Sequence, residues 1–166
     1  MLQSVDVKTL TPEIFSVFGT QNALLTAGDR ERYNTMTIGW CGLGRLWNLP
    51  ACTVFVRPGR FTYSFMEMQE QFSVSVLPAS MHEAMVLCGT KSGRDTDKFA
   101  ACGLTARFDD HGVPFIGEAE WVLICRKLYA QDLTPDAVAD HRVDQFYQGE
   151  QWHRMYVGEV IAAYQK

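Results

Sequence analysis

The chain has 166 residues, 47% hydrophobic and 20% charged, which is the size and balance of one globular domain able to bury a core. Fifteen basic against nineteen acidic side chains leave a net charge of −4; this argues against a general nucleic-acid surface and makes each cation a local feature. The opening Met1-Leu2-Gln3-Ser4-Val5 has no basic stretch leading into an apolar one, and no window approaches the ~18 apolar residues of a bilayer span, so neither secretion nor membrane insertion is expected.

In chain order, Thr11-Pro12-Glu13 predicts a short helical turn, with proline at its first position. Gln21 to Ala27 predicts a strand, and Gly28-Asp29-Arg30 a turn that returns the chain as a hairpin. Three β-branched or aromatic runs then follow in one sheet: Asn34 to Cys41, Cys52 to Pro58 and Phe72 to Pro78. A glycine-rich bend through Gly42 and Gly44 separates the first two, and a short helix over Thr62 to Glu70 separates the last two. In that helix Phe61, Phe65 and Met68 share a face, and Thr62 is a candidate cap.

Ser80-Met81-His82-Glu83 has the form of a capping box, opening a helix that Gly89 should stop. Asp95 to Phe99 begins another short helix ending at Gly103. Strand patterns resume at Leu104 to Phe108, turn at Asp109-Asp110-His111-Gly112, and continue through Val113 to Ile116 and Ala119 to Leu133. Thr134-Pro135-Asp136 opens an irregular connection, and His153 to Tyr164 is a last strand. Short strands with few helices and no βαβ alternation predict a mainly β, antiparallel barrel spanning residues 1–166 as one domain, rather than a doubly wound sheet.

Three blocks carry a further signal. The first is Asn34-Thr35-Met36-Thr37 with Gly39-Trp40, then Val56-Arg57-Pro58, Arg60-Phe61-Thr62-Tyr63 and Phe72-Ser73-Val74-Ser75-Val76. The second is Cys88-Gly89-Thr90-Lys91-Ser92-Gly93-Arg94-Asp95-Thr96-Asp97-Lys98-Phe99, and the third is His153-Arg154-Met155-Tyr156-Val157-Gly158-Glu159-Val160. In this order they resemble the flavin reductase family of FMN-binding split β-barrels, in particular its flavoredoxin-like branch. The resemblance implies a six-stranded Greek-key split barrel that pairs into a homodimer, with flavin sites at the subunit boundary.

Binding FMN asks for amide N–H groups, hydroxyls and cations around a phosphate, and for a flat apolar bed under the ring. Alternation along Asn34, Thr35, Met36 and Thr37 puts one face of that strand in a core and the other toward a cleft, although threonines are also plain strand formers. Trp40 is a candidate wall for the ring. Arg57 and Arg60, with Thr62 and Tyr63 at a helix start, could gather around a phosphate. The two glycines and the polar cluster of Gly89 to Lys98 fit a concave, amide-rich turn before a helix, with a plain polar loop between two helices as the alternative.

The resemblance places Ser92, Gly93, Asp95 and Lys98 at the cofactor. It implies a lysine whose charge would favour the reduced, anionic flavin. His153 falls in the closing strand that matches the family; it and His141 are candidates to lie over the cofactor, against a structural role for each.

Other chemistries have little support. The histidines are scattered, without HxH or HExxH spacing, so no metal centre is expected. Cys41, Cys52, Cys88, Cys102 and Cys125 are never closer than eleven positions; the expectation is buried, inert, free thiols in a reducing cytoplasm, not a CxxC site or a disulfide framework. Gly42-Leu43-Gly44-Arg45-Leu46-Trp47 lacks the third glycine of a dinucleotide fingerprint, and no P-loop occurs.

The expected activity is therefore an oxidoreductase in which bound FMN takes a hydride from NADH or NADPH and passes electrons to an unidentified acceptor or redox partner protein. No catalytic acid or base is required, because the cofactor carries the chemistry. The alternative is an FMN-binding electron carrier or flavin store with no nicotinamide site of its own, since the Gly-Asp-His motif of the larger branch is missing near the end of the chain. A barrel without cofactor, acting as an interaction module, is the third reading.

Overall fold

The computed structural model describes residues 1–9 and 14–166, so the turn expected at Thr11-Pro12-Glu13 lies outside the described residues. Strand β1 (Gln3–Val5) is followed by α1 (Ile14–Ser16), which widens into a turn through Val17–Gln21. β2 (Ala23–Gly28) and β3 (Tyr33–Ile38) form the expected antiparallel hairpin. The Asp29 carboxylate accepts from the amides of Glu31 and Arg32, both at 2.9 Å, and this closes the turn.

β4 (Cys41–Leu46) and β5 (Leu49–Val56) correct one expectation. The chain does not bend at Gly42 and Gly44, which lie inside β4 opposite Thr53 and Ala51. It turns at Trp47 and Asn48, whose φ angles of 50° and 61° make a two-residue left-handed hairpin loop. Asparagine tolerates that conformation, and the Leu46–Leu49 pair closes it.

Helix α2 (Phe61–Met68) and strand β6 (Gln71–Val76) follow. Thr62 does not cap α2: Arg60 holds the cap position without a side-chain bond, and Thr62 lies buried inside the first turn. The Ser80–Glu83 capping box does not form either. Ala79–Met81 is a 3₁₀ turn, and α3 (His82–Thr90) begins behind Met81 with no side-chain cap, then runs through Gly89.

α4 (Lys98–Cys102) is capped by Asp97, whose carboxylate accepts from the amides of Phe99 and Ala100, and it ends at Gly103 with φ 63°. β7 (Ala106–Phe108) and β8 (Pro114–Ile116) form a small ribbon, and β9 (Trp121–Asp132) and β10 (Arg154–Gln165) are the long strands.

The main sheet has eight strands, in the order β3-β2-β6-β9-β10-β5-β4, with β1 on the other part of β10. All its pairings are antiparallel. Among the described residues no ladder joins β3 to β4, so the sheet is open there and only Gly39 and Trp40 bridge the gap. The mainly β antiparallel class agrees with the sequence, while the strand count exceeds the expected six. The six strands β2, β3, β5, β6, β9 and β10 do supply most buried side chains of the inner core, with Phe65 and Met66 of α2 and Val17 and Phe18 of the turn after α1; β1 and β4 contribute only partly buried residues.

A second apolar layer covers the outer face of β2, β6 and β9. Leu24, Val122 and Ile124 pack there against Met85 and Cys88 of α3 and against Phe115 and Ile116 of the ribbon. Ser73 and Ser75 also face outward and are matched by main-chain groups: Ser73 donates to Pro114 O at 2.6 Å, and Ile116 N donates to Ser75 Oγ at 3.3 Å.

At Gly158, where β10 shifts register, an added Cβ would stand 2.9 Å from both Cys125 Cβ and Phe72 Cζ, two side chains with no exposed surface. Gly158→Val should therefore lower stability by about 1–3 kcal/mol through overpacking. The expected readout is a lower urea midpoint at unchanged slope.

Candidate functional site

Strand β3 distributes its side chains by parity, and each face meets a different helix. Asn34 donates from Nδ2 to Thr62 Oγ1 at 2.8 Å, which docks the start of α2 onto the strand. Thr35 donates to Leu25 O at 3.2 Å and pairs with Thr26 Oγ1 at 3.0 Å, while Thr37 donates to Met85 O of α3 at 2.5 Å. The threonine face is thus occupied by helix α3 and the neighbouring strand instead of opening into a cleft. The cleft begins on the other face, at Met36.

That cleft, of about 130 Å³, lies between the start of α2 and the turn after α3. Of the residues singled out from sequence, it brings together Met36, Arg60, Thr62, Ser92, Gly93 and Lys98. Gly93 is required by proximity: a Cβ there would stand 2.1 Å from Asn34 Oδ1 and 2.8 Å from Phe61 Cδ1. Arg94 donates to Gly59 O at 3.4 Å and spreads its guanidinium 5.3 Å from the centre of the Phe61 ring. Arg60, Lys91, Arg94 and Lys98 line the cleft, and no carboxylate does.

Lys98 is almost fully buried, and its ammonium donates to Thr35 O at 2.9 Å and Cys88 O at 2.8 Å. It therefore offsets the negative end of α3. Burial pulls its pKa below the usual lysine value, and the Arg60 charge adds to that.

The remaining candidates lie elsewhere. Asp95 borders an adjoining groove beyond Gly93. Tyr63 stands on the far side of α2, in the charge field of Glu67, Arg154 and Asp132. Arg57 is engaged by the segment before β10: it donates to Phe146 O at 2.9 Å, pairs with Glu150, and lies 5.8 Å from the Tyr147 ring centre.

Trp40 and His153 come together in a second cluster, with ring centres 4.6 Å apart. Tyr147 joins them through a 3.0 Å contact between its hydroxyl and His153 Nδ1, and it stacks on Trp152 at 3.9 Å. Trp40 and Tyr147 also line a separate apolar cleft of about 760 Å³, with Phe15, Phe18, Phe55 and Leu133. His141 is exposed and bound to Asp144, away from both clefts.

Residues 15–166 match the flavin reductase like domain family. The chain belongs to that family. Among solved structures it is similar to a flavoredoxin from Methanosarcina acetivorans, at TM-score 0.70 and 24% identity over 88% of this chain and 68% of that one. It is also similar to an FMN-binding protein from Thermus thermophilus with bound p-hydroxybenzaldehyde, at TM-score 0.71 and 22% identity over 99% and 82%. A third is a Streptomyces globisporus NADH:FAD oxidoreductase in complex with NAD and FAD fragments, at TM-score 0.64 and 19% identity over 88% and 75%. At these identities the likeness establishes the fold. No curated protein matches the chain.

Several residues of this flavin reductase-like domain escaped the sequence reading. Gly59 lines the cationic cleft without belonging to any recognisable pattern, and Thr90, though inside the second block, was not singled out. Tyr147 and Trp152 fall in the stretch read as an irregular connection; the only signal there was two aromatics close to His153.

His153 has a measurable consequence. Burial, with the charges of Arg57 and Arg60 beyond it, lowers its pKa from 6.5 to about 4. Between those values the unfolded chain binds more protons than the folded one, so the His153 contribution to stability is complete above about pH 6.5 and is lost as pH falls toward 4. An NMR titration should place the imidazole midpoint near 4, and His153→Gln should flatten that part of the stability–pH curve. A midpoint near 6.5 would contradict the burial argument.

Proposed function

We propose that this domain binds FMN and passes electrons through it from NADH or NADPH to an acceptor, with the phosphate in the cationic cleft and the isoalloxazine beside Trp40 and His153. The cleft itself carries this reading: four cationic side chains and no carboxylate, in a chain of net charge −4, around a turn rich in main-chain amides. Its volume of about 130 Å³ suits a phosphate and is too small for three fused rings.

The ring needs an apolar surface nearby. Trp40, 41% exposed and packed against His153, provides one. The Arg60 charge acts on both Lys98 and His153, so this side chain stands between the two parts of the site.

The residues present fit the group. Arg60 and Arg94 present forked donors to phosphate, Ser92 adds a hydroxyl, and the helix start at Phe61 contributes its positive end. When bound, FMN supplies hydride acceptance and onward electron transfer. The chain need only hold and orient it: Lys98 keeps the turn after α3 against β3, and His153, neutral above about pH 4, adds no positive charge next to Arg57 and Arg60. The apolar cleft beside Trp40, with Phe15 97% exposed at its edge, supports a homodimer as the working unit. We place that unit in the cytoplasm.

Protein purified in the presence of FMN should show the absorption bands of bound flavin. Arg60→Ala should weaken FMN binding by about ten- to a hundredfold, the loss of one charge-assisted contact of ~1.5–3 kcal/mol. Anaerobic addition of NADH or NADPH should bleach the flavin band at a catalytic rate. An unchanged spectrum would instead identify an electron carrier or flavin store, and failure to take up FMN at all would remove the proposal.

A further inference from the structure

Two of the five cysteines bracket the cationic cleft. Cys88, near the end of α3, lines the cleft and is fully buried, while Cys102, the last residue of α4, is partly exposed. Their sulfurs are 3.9 Å apart. The thirteen residues between them (102 − 88 − 1) include the whole turn from Gly89 to Arg94 and also Lys98, whose ammonium is held by the Cys88 carbonyl. We propose that Cys88 and Cys102 are an oxidation site, a dithiol that a hydroperoxide converts to a disulfide and that thereby clamps the cleft turn.

The other neighbouring cysteines do not have this geometry: Cys125, next to Cys52, lies on β9 across β10 from β5, about 9–10 Å away by two strand spacings. Cys41 and Cys52 approach to 3.7 Å, but in the β4–β5 ladder Cys41 faces Val54 and Cys52 faces Leu43. They are diagonal neighbours, with Cα atoms about 7–8 Å apart, at or beyond the reach of a disulfide. Cys88 and Cys102 sit instead on two separate helices, and α4 is only five residues long. Side-chain rotation, with some give in that short helix, can bring the sulfurs from 3.9 Å to the ~2.05 Å of a disulfide.

The two thiols have different roles. Burial pushes the Cys88 thiol up to about 12, which makes it a poor first nucleophile, so the partly exposed Cys102 reacts first. Its thiolate attacks the outer oxygen of the hydroperoxide: the O–O bond breaks, an alcohol (or water, from hydrogen peroxide) leaves, and Cys102 becomes a sulfenic acid. The Cys88 sulfur then attacks Cys102 Sγ; the S–S bond forms, the S–O bond breaks, and water leaves with the thiol proton. Two thiols lose two electrons in total and one peroxide gains them. A dithiol reductant reverses the change.

The effect on flavin rests on the function proposed above. Closing the ring around residues 89–101 pre-orders the amides that would meet the phosphate, and pre-ordering strengthens binding.

The test treats wild-type protein with one equivalent of hydrogen peroxide, blocks remaining thiols, digests with trypsin and maps the peptides. The expected product joins the peptide ending at Lys91 to the peptide Phe99–Arg107, and dithiothreitol separates them. Five free thiols, a crosslink through Cys41 or Cys52, or unpaired Cys102 oxidised to sulfinic acid would each overturn the site. In Cys88→Ala, dimedone should trap a sulfenic acid on Cys102; an adduct on Cys88 in Cys102→Ala would reverse the roles and overturn the assignment. FMN titration of the two redox forms should give severalfold tighter binding to the crosslinked one, and equal or weaker binding would overturn the clamp. No FMN binding in either form sinks the flavin reading and leaves the oxidation site standing on the peptide map.

Discussion

The ammonium of Lys98 joins the last turns of α3 to the middle of β3, through the carbonyls of Cys88 and Thr35. The strand and two successive helices meet at that nitrogen, and the cationic cleft lies beside it, between the turn after α3 and the start of α2. Hydrogen bonds to a charged group contribute roughly 1.5–3 kcal/mol each, and leaving both buried carbonyls unmatched would cost more than losing the charge alone. Asn34 completes the arrangement on the opposite parity of β3 by holding Thr62 and hence the start of α2. One strand thus fixes both walls, one through a main-chain carbonyl and the other through a side chain.

This division explains the contrast between the two parts of the site. The cleft between α2 and the turn after α3 is narrow, polar and cationic because it is built from helix ends, loop amides and guanidinium groups. The cluster around Trp40 is apolar because it lies where β3 passes to β4 across the open edge of the sheet, and the segment before β10 folds over it through Phe146 and Tyr147. A ligand with an anionic end and a flat ring matches that pair of environments. Arg60 lies within charge reach of both, since its guanidinium acts on Lys98 in one and on His153 in the other.

Much of the fold was legible because it rests on local chemistry. Gly28-Asp29-Arg30 announced its hairpin, since an aspartate can satisfy the two amides of the turn. Gly103 ended α4 as expected through a left-handed residue, while its start fell at Lys98, after the Asp97 cap and later than the Asp95 at which the sequence pattern began. The misread signals were those that tertiary contacts took over. Thr62 has the right side chain for a cap but spends it on Asn34, and Gly42 and Gly44 look like a bend yet pair within a ladder because Trp47 and Asn48 turn the chain instead. Thr35 and Thr37 presented the same difficulty: alternation gave their common face correctly, but not that α3 would cover it.

The sequence by itself determined the class, a mainly antiparallel β chain, and placed most of the cleft residues in two blocks, because strand periodicity, turn chemistry and ordered motifs are properties of neighbours along the chain. Only the tertiary structure decided which members of those blocks meet. Arg60 reaches the cleft while Arg57 is held by Phe146 and Glu150, and Tyr63 turns to the far side of α2. The physical reason is that a side chain's destination depends on which partner across the fold satisfies it, and that competition is settled between residues far apart in sequence.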